Sequence, residues 1–260
     1  VTKDEYVAKK NIKHFALVFL VFCTVCANAE KLKITPESEV LYFKALPYLD
    51  GVDKEDNEFF KKYPPSSTEV KPSEEQKKQY RERLQSLLSE GIPLIKQSAE
   101  AGNPAAQYRL AWIWSRFVPR DQVADKVCSL LRSSLSQGFT PSGFQMIFYC
   151  FDEVKTPKFR SLIDALPENE NFYSKYYPQP LIMPSCDWRN TSHADSIVLF
   201  NDKSFRAELY MSFATQMSTQ NLKQEQLRYL NKAAEYGCAR AIERIKLNHT
   251  IEARAAGAAP

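Results

Sequence analysis

The sequence predicts an all-α fold: an α-solenoid of about four helix-turn-helix repeats interrupted by one loop-rich insertion. Two observations carry this. The stretch KQSAEAGNPAAQYRLAWIW, residues 96–114, reads as one helix stopped by a glycine and a second helix begun directly after it. The surroundings of that glycine then recur without a gap around Gly138 and Gly237.

The elements follow in order. Ser73 and Gln76 have capping-box spacing and open a helix through Leu84, Leu87 and Leu88, which extends, kinked at Gly91 and Pro93, into the first repeat. Gly102 is a left-handed stop, Asn103 an N-cap and Pro104 a first helical residue whose missing N–H costs nothing. Four residues after the three glycines stand Ala106, Ser142 and Ala241, and eight after them Leu110, Met146 and Ile245. Seven before stand Ile95, Leu131 and Leu230, and three before Ala99, Leu135 and Ala234. Small residues thus recur where helices touch and large ones where they fill space. Gly102 and Gly138 are 36 residues apart, one repeat, whereas Gly138 and Gly237 are 99 apart. A degenerate unit fits the longer gap, with one helix from Thr156 and Pro157 to Leu166 and another across Ala207, Tyr210 and Met211. An insertion at about 167–204 separates them, within a solenoid over 73–248. Residues 30–72 mix charges, aromatics and prolines and end in YPPSSTEVKPS, which reads as an irregular segment and linker. Residues 249–260 read as a fraying tail.

Lys9, Lys10 and Lys13 precede an apolar run from Phe15 to Cys26, followed by Ala27-Asn28-Ala29. That order predicts a signal peptide over 1–29, cleaved after Ala29, and a periplasmic or secreted product. A run of about 12 apolar residues is too short for stable membrane insertion. Cleavage removes Lys3, Lys9, Lys10, Lys13, Asp4 and Glu5, taking the net charge from +4 to about +2. Neither value argues for nucleic acid. Export also removes Cys23 and Cys26, leaving Cys128, Cys150, Cys186 and Cys238. Without CxxC spacing, and with only His193 and His249 left as imidazole ligands, these favour disulfides over metal. Cys128 and Cys150 lie equally far before and after Phe139, hence at the same height on antiparallel helices, where a bridge can close. Cys186 with Cys238 follows by elimination.

The insertion contains NFYSKYYPQPLIMPSCDWRN, which crowds Phe172, Tyr173, Tyr176, Tyr177 and Trp188 among Pro178, Pro180 and Pro184. Such a segment is either a rigid recognition surface or a loop packed back over the solenoid, and its removal is expected to leave helicity largely intact. Trp112 and Trp114, two positions apart on a helix, point in different directions, so one is core and the other surface. His193 and Asp195 fit a capping or surface role better than an acid-base pair, since no nucleophile motif lies near. G-x-S-x-G, S-x-x-K, H-E-x-x-H and P-loop patterns do not occur, so no catalytic residue, cofactor or metal ligand is assigned and no enzyme is expected.

SAEAGNPAAQYRL and KAAEYGCARAIERI, and more loosely SSLSQGFTPSGFQM, resemble the Sel-one-like repeat (SLR) proteins, relatives of the tetratricopeptide repeats, whose pattern is roughly AA-x-x-G-x-x-x-A-Q-x-x-L. The resemblance covers roughly residues 79–248. It departs where IWSRFVPRD replaces the usual Tyr-x-x-Gly-x-Gly-Val bend, and across the insertion. It implies a protein-binding scaffold or adaptor whose partner is an envelope component or a secreted effector, the latter neutralised as by an immunity protein. The alternative it implies is a secreted cysteine-rich SLR hydrolase or β-lactam-binding protein.

Overall fold

The computed structural model describes residues 34–65, 67–167, 172–182, 184–186, 196–217, 222–255 and 257. The signal-peptide reading, Trp188, His193 and Asp195 lie outside these residues. Among them ten α-helices pack as sequential pairs: α1 (Pro36–Lys62), α2 (Glu74–Glu100), α3 (Pro104–Phe117), α4 (Arg120–Ser136), α5 (Thr140–Tyr149), α6 (Phe151–Val154), α7 (Pro157–Asp164), α8 (Asp202–Gln216), α9 (Lys223–Glu235) and α10 (Ala239–Ala255). Between α7 and α8 the insertion forms a 3₁₀ turn at Ser174–Tyr176 and a small antiparallel hairpin of β1 (Gln179–Leu181) and β2 (Val198–Phe200), with Pro180 opposite Leu199.

The three turn glycines have φ of 89°, 90° and 92°, a region that only glycine enters without steric cost. Each turn closes in the same way. The glycine N–H donates to Ala99, Leu135 or Ala234 at 2.8–3.0 Å, and the next residue's N–H donates back to Ser98, Ser134 or Ala233 at 3.0–3.3 Å. The recurrent small residues Ala106, Ser142 and Ala241 are fully buried at the crossings.

The second helices of the repeats, α3, α5 and α8, form a middle layer. Every residue from Pro104 to Ile113, from Thr140 to Ile147 and from Phe205 to Ala214 is buried, as expected of helices covered on all sides. On one side lie α2, α4 and α9. α1 lies along α2 and reaches α3 through Arg109 and Trp112, and the insertion crosses the N-terminal ends of the layer. The degenerate unit is present but short: α7 is eight residues long and sets Phe159 against Phe213 of α8 at 5.3 Å, while Asp164 accepts from Tyr229 of α9 at 2.9 Å.

Residues 36–62, read as irregular, are the main correction. Thr35 caps the Ser38 N–H, Pro36 takes the first helical position, and Tyr42, Ala45, Leu49 and Val52 form a fully buried stripe. Pro47 sits inside α1 on an exposed face. The helix nevertheless packs closely on α2, because a Cβ on Gly91 would come within 3.0 Å of Tyr48 and Leu49.

Cys128 and Cys150 are bonded across α4 and the end of α5, with Cα atoms 5.8 Å apart. Cys186 and Cys238 join the insertion to the α9–α10 turn. Both pairings suit an oxidising compartment, and no described helix is long and apolar enough to cross a membrane. Replacing Cys128 and Cys150 together by serine is expected to lower stability by about 3 kcal/mol on the chain-entropy model for so short a loop. Urea unfolding of the double variant, with Cys186–Cys238 kept oxidised, measures the loss.

Candidate protein-binding surface

The insertion crosses the middle helix layer near the helix N-termini, and its tyrosines point inward. Tyr173, 7 % exposed, donates through its hydroxyl to the Gln137 carbonyl at 2.7 Å and sets its ring edge-on to Phe139 at 5.4 Å. Tyr176, 2 % exposed, packs against Tyr42 at 5.1 Å, and its hydroxyl accepts from Asn103 Nδ2 at 3.4 Å. Tyr177 donates to Asp202 at 2.6 Å and lies beside Phe139 and Phe205. Burial pushes the Tyr42 and Tyr173 phenols up to about 12, so both remain neutral hydrogen-bonding groups at physiological pH. Gln179 donates to the Tyr42 hydroxyl at 2.7 Å, and Tyr108 donates to the Pro180 carbonyl at 2.5 Å. Further along, the buried Glu208 carboxylate accepts the Ser185 and Cys186 N–H groups at 2.5 and 3.0 Å. Asn57 of α1 accepts the Ile197 N–H at 2.7 Å and donates to the Ile197 carbonyl at 3.0 Å.

Tyr173, Tyr176 and Tyr177 therefore do not form an exposed recognition surface. They fill space between the insertion and the solenoid, because a tyrosine ring gains from burial once its hydroxyl finds a partner. Phe172 differs. It is 54 % exposed and meets Tyr173 edge-on at 4.7 Å. Tyr173 leads by ring contact to Tyr176, on which Phe43 of α1 stacks at 5.8 Å with planes 4° apart. Phe43 is itself 38 % exposed, and Val40, 51 % exposed, lies beside it. Ile34, Pro36 and Lys44 line the same shallow depression, and Lys175 pairs with Glu39 across the joint between insertion and α1. Phe43 and Phe172 thus stand on buried rings, with Val40 beside Phe43 and the charges of Glu39, Lys44 and Lys175 around them.

Val40 and Phe43 were missed because the segment around them was not read as helix. Once Tyr42, Ala45, Leu49 and Val52 are taken as the inward stripe, both fall outside it, and that is the signal. Trp112 and Trp114 behave as their spacing predicts. Trp112 is buried and donates to Asp53 at 3.0 Å, while Trp114 is only partly covered.

The Trp112 contact belongs to a ladder between α1 and α3. Arg109, 1 % exposed in its side chain, donates to Asp53 at 2.8 Å and to Asp50 at 3.2 Å, and Arg116 pairs with Asp56. Burial alone would lower the Arg109 pKa, but the carboxylates of Asp53 and Asp50 outweigh it and hold the guanidinium charged. Among the described residues no group of three His, Cys, Asp or Glu side chains is placed to hold a metal ion. Compared with family models, curated proteins and solved structures, the chain finds no match.

Proposed function

We propose that the protein is an exported adaptor of the SLR kind that binds another protein, an envelope component or a secreted effector that it neutralises, through the surface made by Val40, Phe43 and Phe172. The observation that carries this reading is the ring stack. Phe43 and Phe172 are exposed yet rest on Tyr173 and Tyr176, so ordering them on binding costs little, and aromatic anchors of this kind dominate interface energetics. The two disulfides and the order of residues 9–29 support this choice of compartment. Helical repeats of the SLR pattern supply the scaffold, and no residue pattern in the chain supports a reaction.

The test is recovery of a partner by the oxidised protein from an envelope extract, compared with Phe43→Ala, Phe172→Ala and the control Phe148→Ala, another exposed phenylalanine. Each of the first two is expected to weaken binding by roughly thirtyfold, a typical hot-spot truncation, and the control to leave it unchanged. Equal recovery by all four proteins would remove the surface from consideration.

A further inference from the structure

We infer that the outward face of α10 is a docking seam for a helix of another protein, one that carries acidic residues on either side of an apolar centre. The second helices of the earlier repeats, α3, α5 and α8, are buried over whole runs of residues, whereas α10 is not. It packs on α9, with Ala241 buried in the core, Ile245 set against it and Glu252 paired with Lys223 at 2.7 Å. Across the helix from these, Arg240, Arg244, Leu247, Ile251 and Arg254 follow one another at alternating spacings of four and three residues. On an α-helix that spacing makes one continuous stripe, the kind that seats a second helix. It runs for about 21 Å at the usual rise per residue.

The stripe has an apolar centre, Leu247 at 58 % and Ile251 at 55 % exposure, and arginine at both ends. No carboxylate among the described residues pairs with these three arginines: Glu252 is held by Lys223, and Glu243 is itself engaged. Their charge decides what fits. A second copy of this face, turned parallel or antiparallel, would set arginine against arginine at both ends, which costs several kcal/mol at a close contact. A bilayer matches badly too, because two apolar side chains bury little area and a surface-bound helix keeps its charges beside its apolar stripe, not in line with it. A partner helix with glutamate or aspartate at its outer seam positions satisfies the guanidinium forks and covers Leu247 and Ile251 together.

The inference goes beyond the surface at Phe43 and does not depend on it. Two labelled, amidated peptides of about 21 residues, long enough to hold a helix in water, are titrated into the full-length oxidised protein. One has leucine at two central seam positions and glutamate at the outer ones, and the other has lysine in place of each glutamate. Saturable binding of the first is expected, at least tenfold tighter than of the second. Leu247→Ala and Arg244→Glu should each weaken it about tenfold, the usual size of an anchor lost from an interface, with helicity confirmed by circular dichroism. Phe43→Ala should leave it unchanged, which separates this seam from the other surface. No binding of the acidic peptide, equal binding of both, or unchanged affinity in the two α10 variants overturns the inference. So does sedimentation of the parent protein as a dimer that Leu247→Asp dissociates, which would make a second copy the occupant. Binding to phosphatidylglycerol vesicles that Arg244→Glu abolishes, without binding of the peptide, would make it a membrane and overturns the inference as well.

Discussion

Replacing Arg109 by alanine should lower the unfolding free energy by about 3–5 kcal/mol, the usual result of removing one member of a buried ion pair. The guanidinium is 1 % exposed and its chief partner Asp53 8 % exposed, so truncation leaves the Asp53 carboxylate in a dry interface, with the Trp112 indole N–H still donating to it and Arg116 as the nearby cation. Lysine is expected to recover little, since one ammonium cannot reproduce the fork that reaches Asp53 and Asp50 together. The double variant Arg109→Met, Asp53→Leu should recover most of the loss, because two apolar side chains of similar size leave no charge stranded. Urea unfolding of the four proteins measures this. A loss below about 1 kcal/mol for Arg109→Ala would place the pair in the class of solvated surface bridges.

Phe139→Ala should cost a similar amount, about 3–5 kcal/mol, by loss of apolar transfer and by the cavity left behind. Phe139 is fully buried directly after the second turn glycine, with Tyr108 at 5.9 Å, Tyr173 at 5.4 Å and Tyr177 at 5.7 Å around it. It therefore joins the middle layer to the insertion. Hydrogen exchange adds a second readout: the amides of residues 172–182 should lose protection more than those of α2. Uniform loss across the chain would mean that Phe139 stabilises the solenoid without holding the insertion.

What the sequence shows of this fold is its local part. The glycine turns are legible because a left-handed residue with two back-bonds fixes the identity of its neighbours over about two helical turns. The Cys128–Cys150 bridge is legible because a tight turn sets both helices to the same height. Helix α1 is not. Its stripe of Tyr42, Ala45, Leu49 and Val52 is thin, Pro47 interrupts it, and Asp50, Asp53 and Asp56 look like a solvated face. Their partners Arg109 and Arg116 lie more than fifty residues away, and nothing local in the sequence points to them.

The candidate surface was legible in the same uneven way. Tyrosines and prolines crowded in one segment signal that it packs against something, but composition cannot say whether that is a partner or the chain's own helices. Hydroxyl partners on Asn103, Gln137 and Asp202 turned three of the rings inward. Removing the insertion would bare Tyr108, Phe139 and Phe205, so such a deletion is expected to cost stability even where helicity is kept.

The clasp of Asn57 on Ile197 has a consequence for how molecules of this protein meet one another. A carboxamide carries the same donor and acceptor as one peptide unit, so Ile197 finds on its outer side what a neighbouring strand would otherwise offer. In the observed register the groups of Val198 and Phe200 turn toward β1, which leaves Ile197 and Leu199 facing outward. With Ile197 taken, a visiting strand meets a single residue's pair of bonds beside an apolar side chain 58 % exposed at Leu199. One polar side chain borrowed from α1 thus blunts an edge that would otherwise invite sheet extension and aggregation.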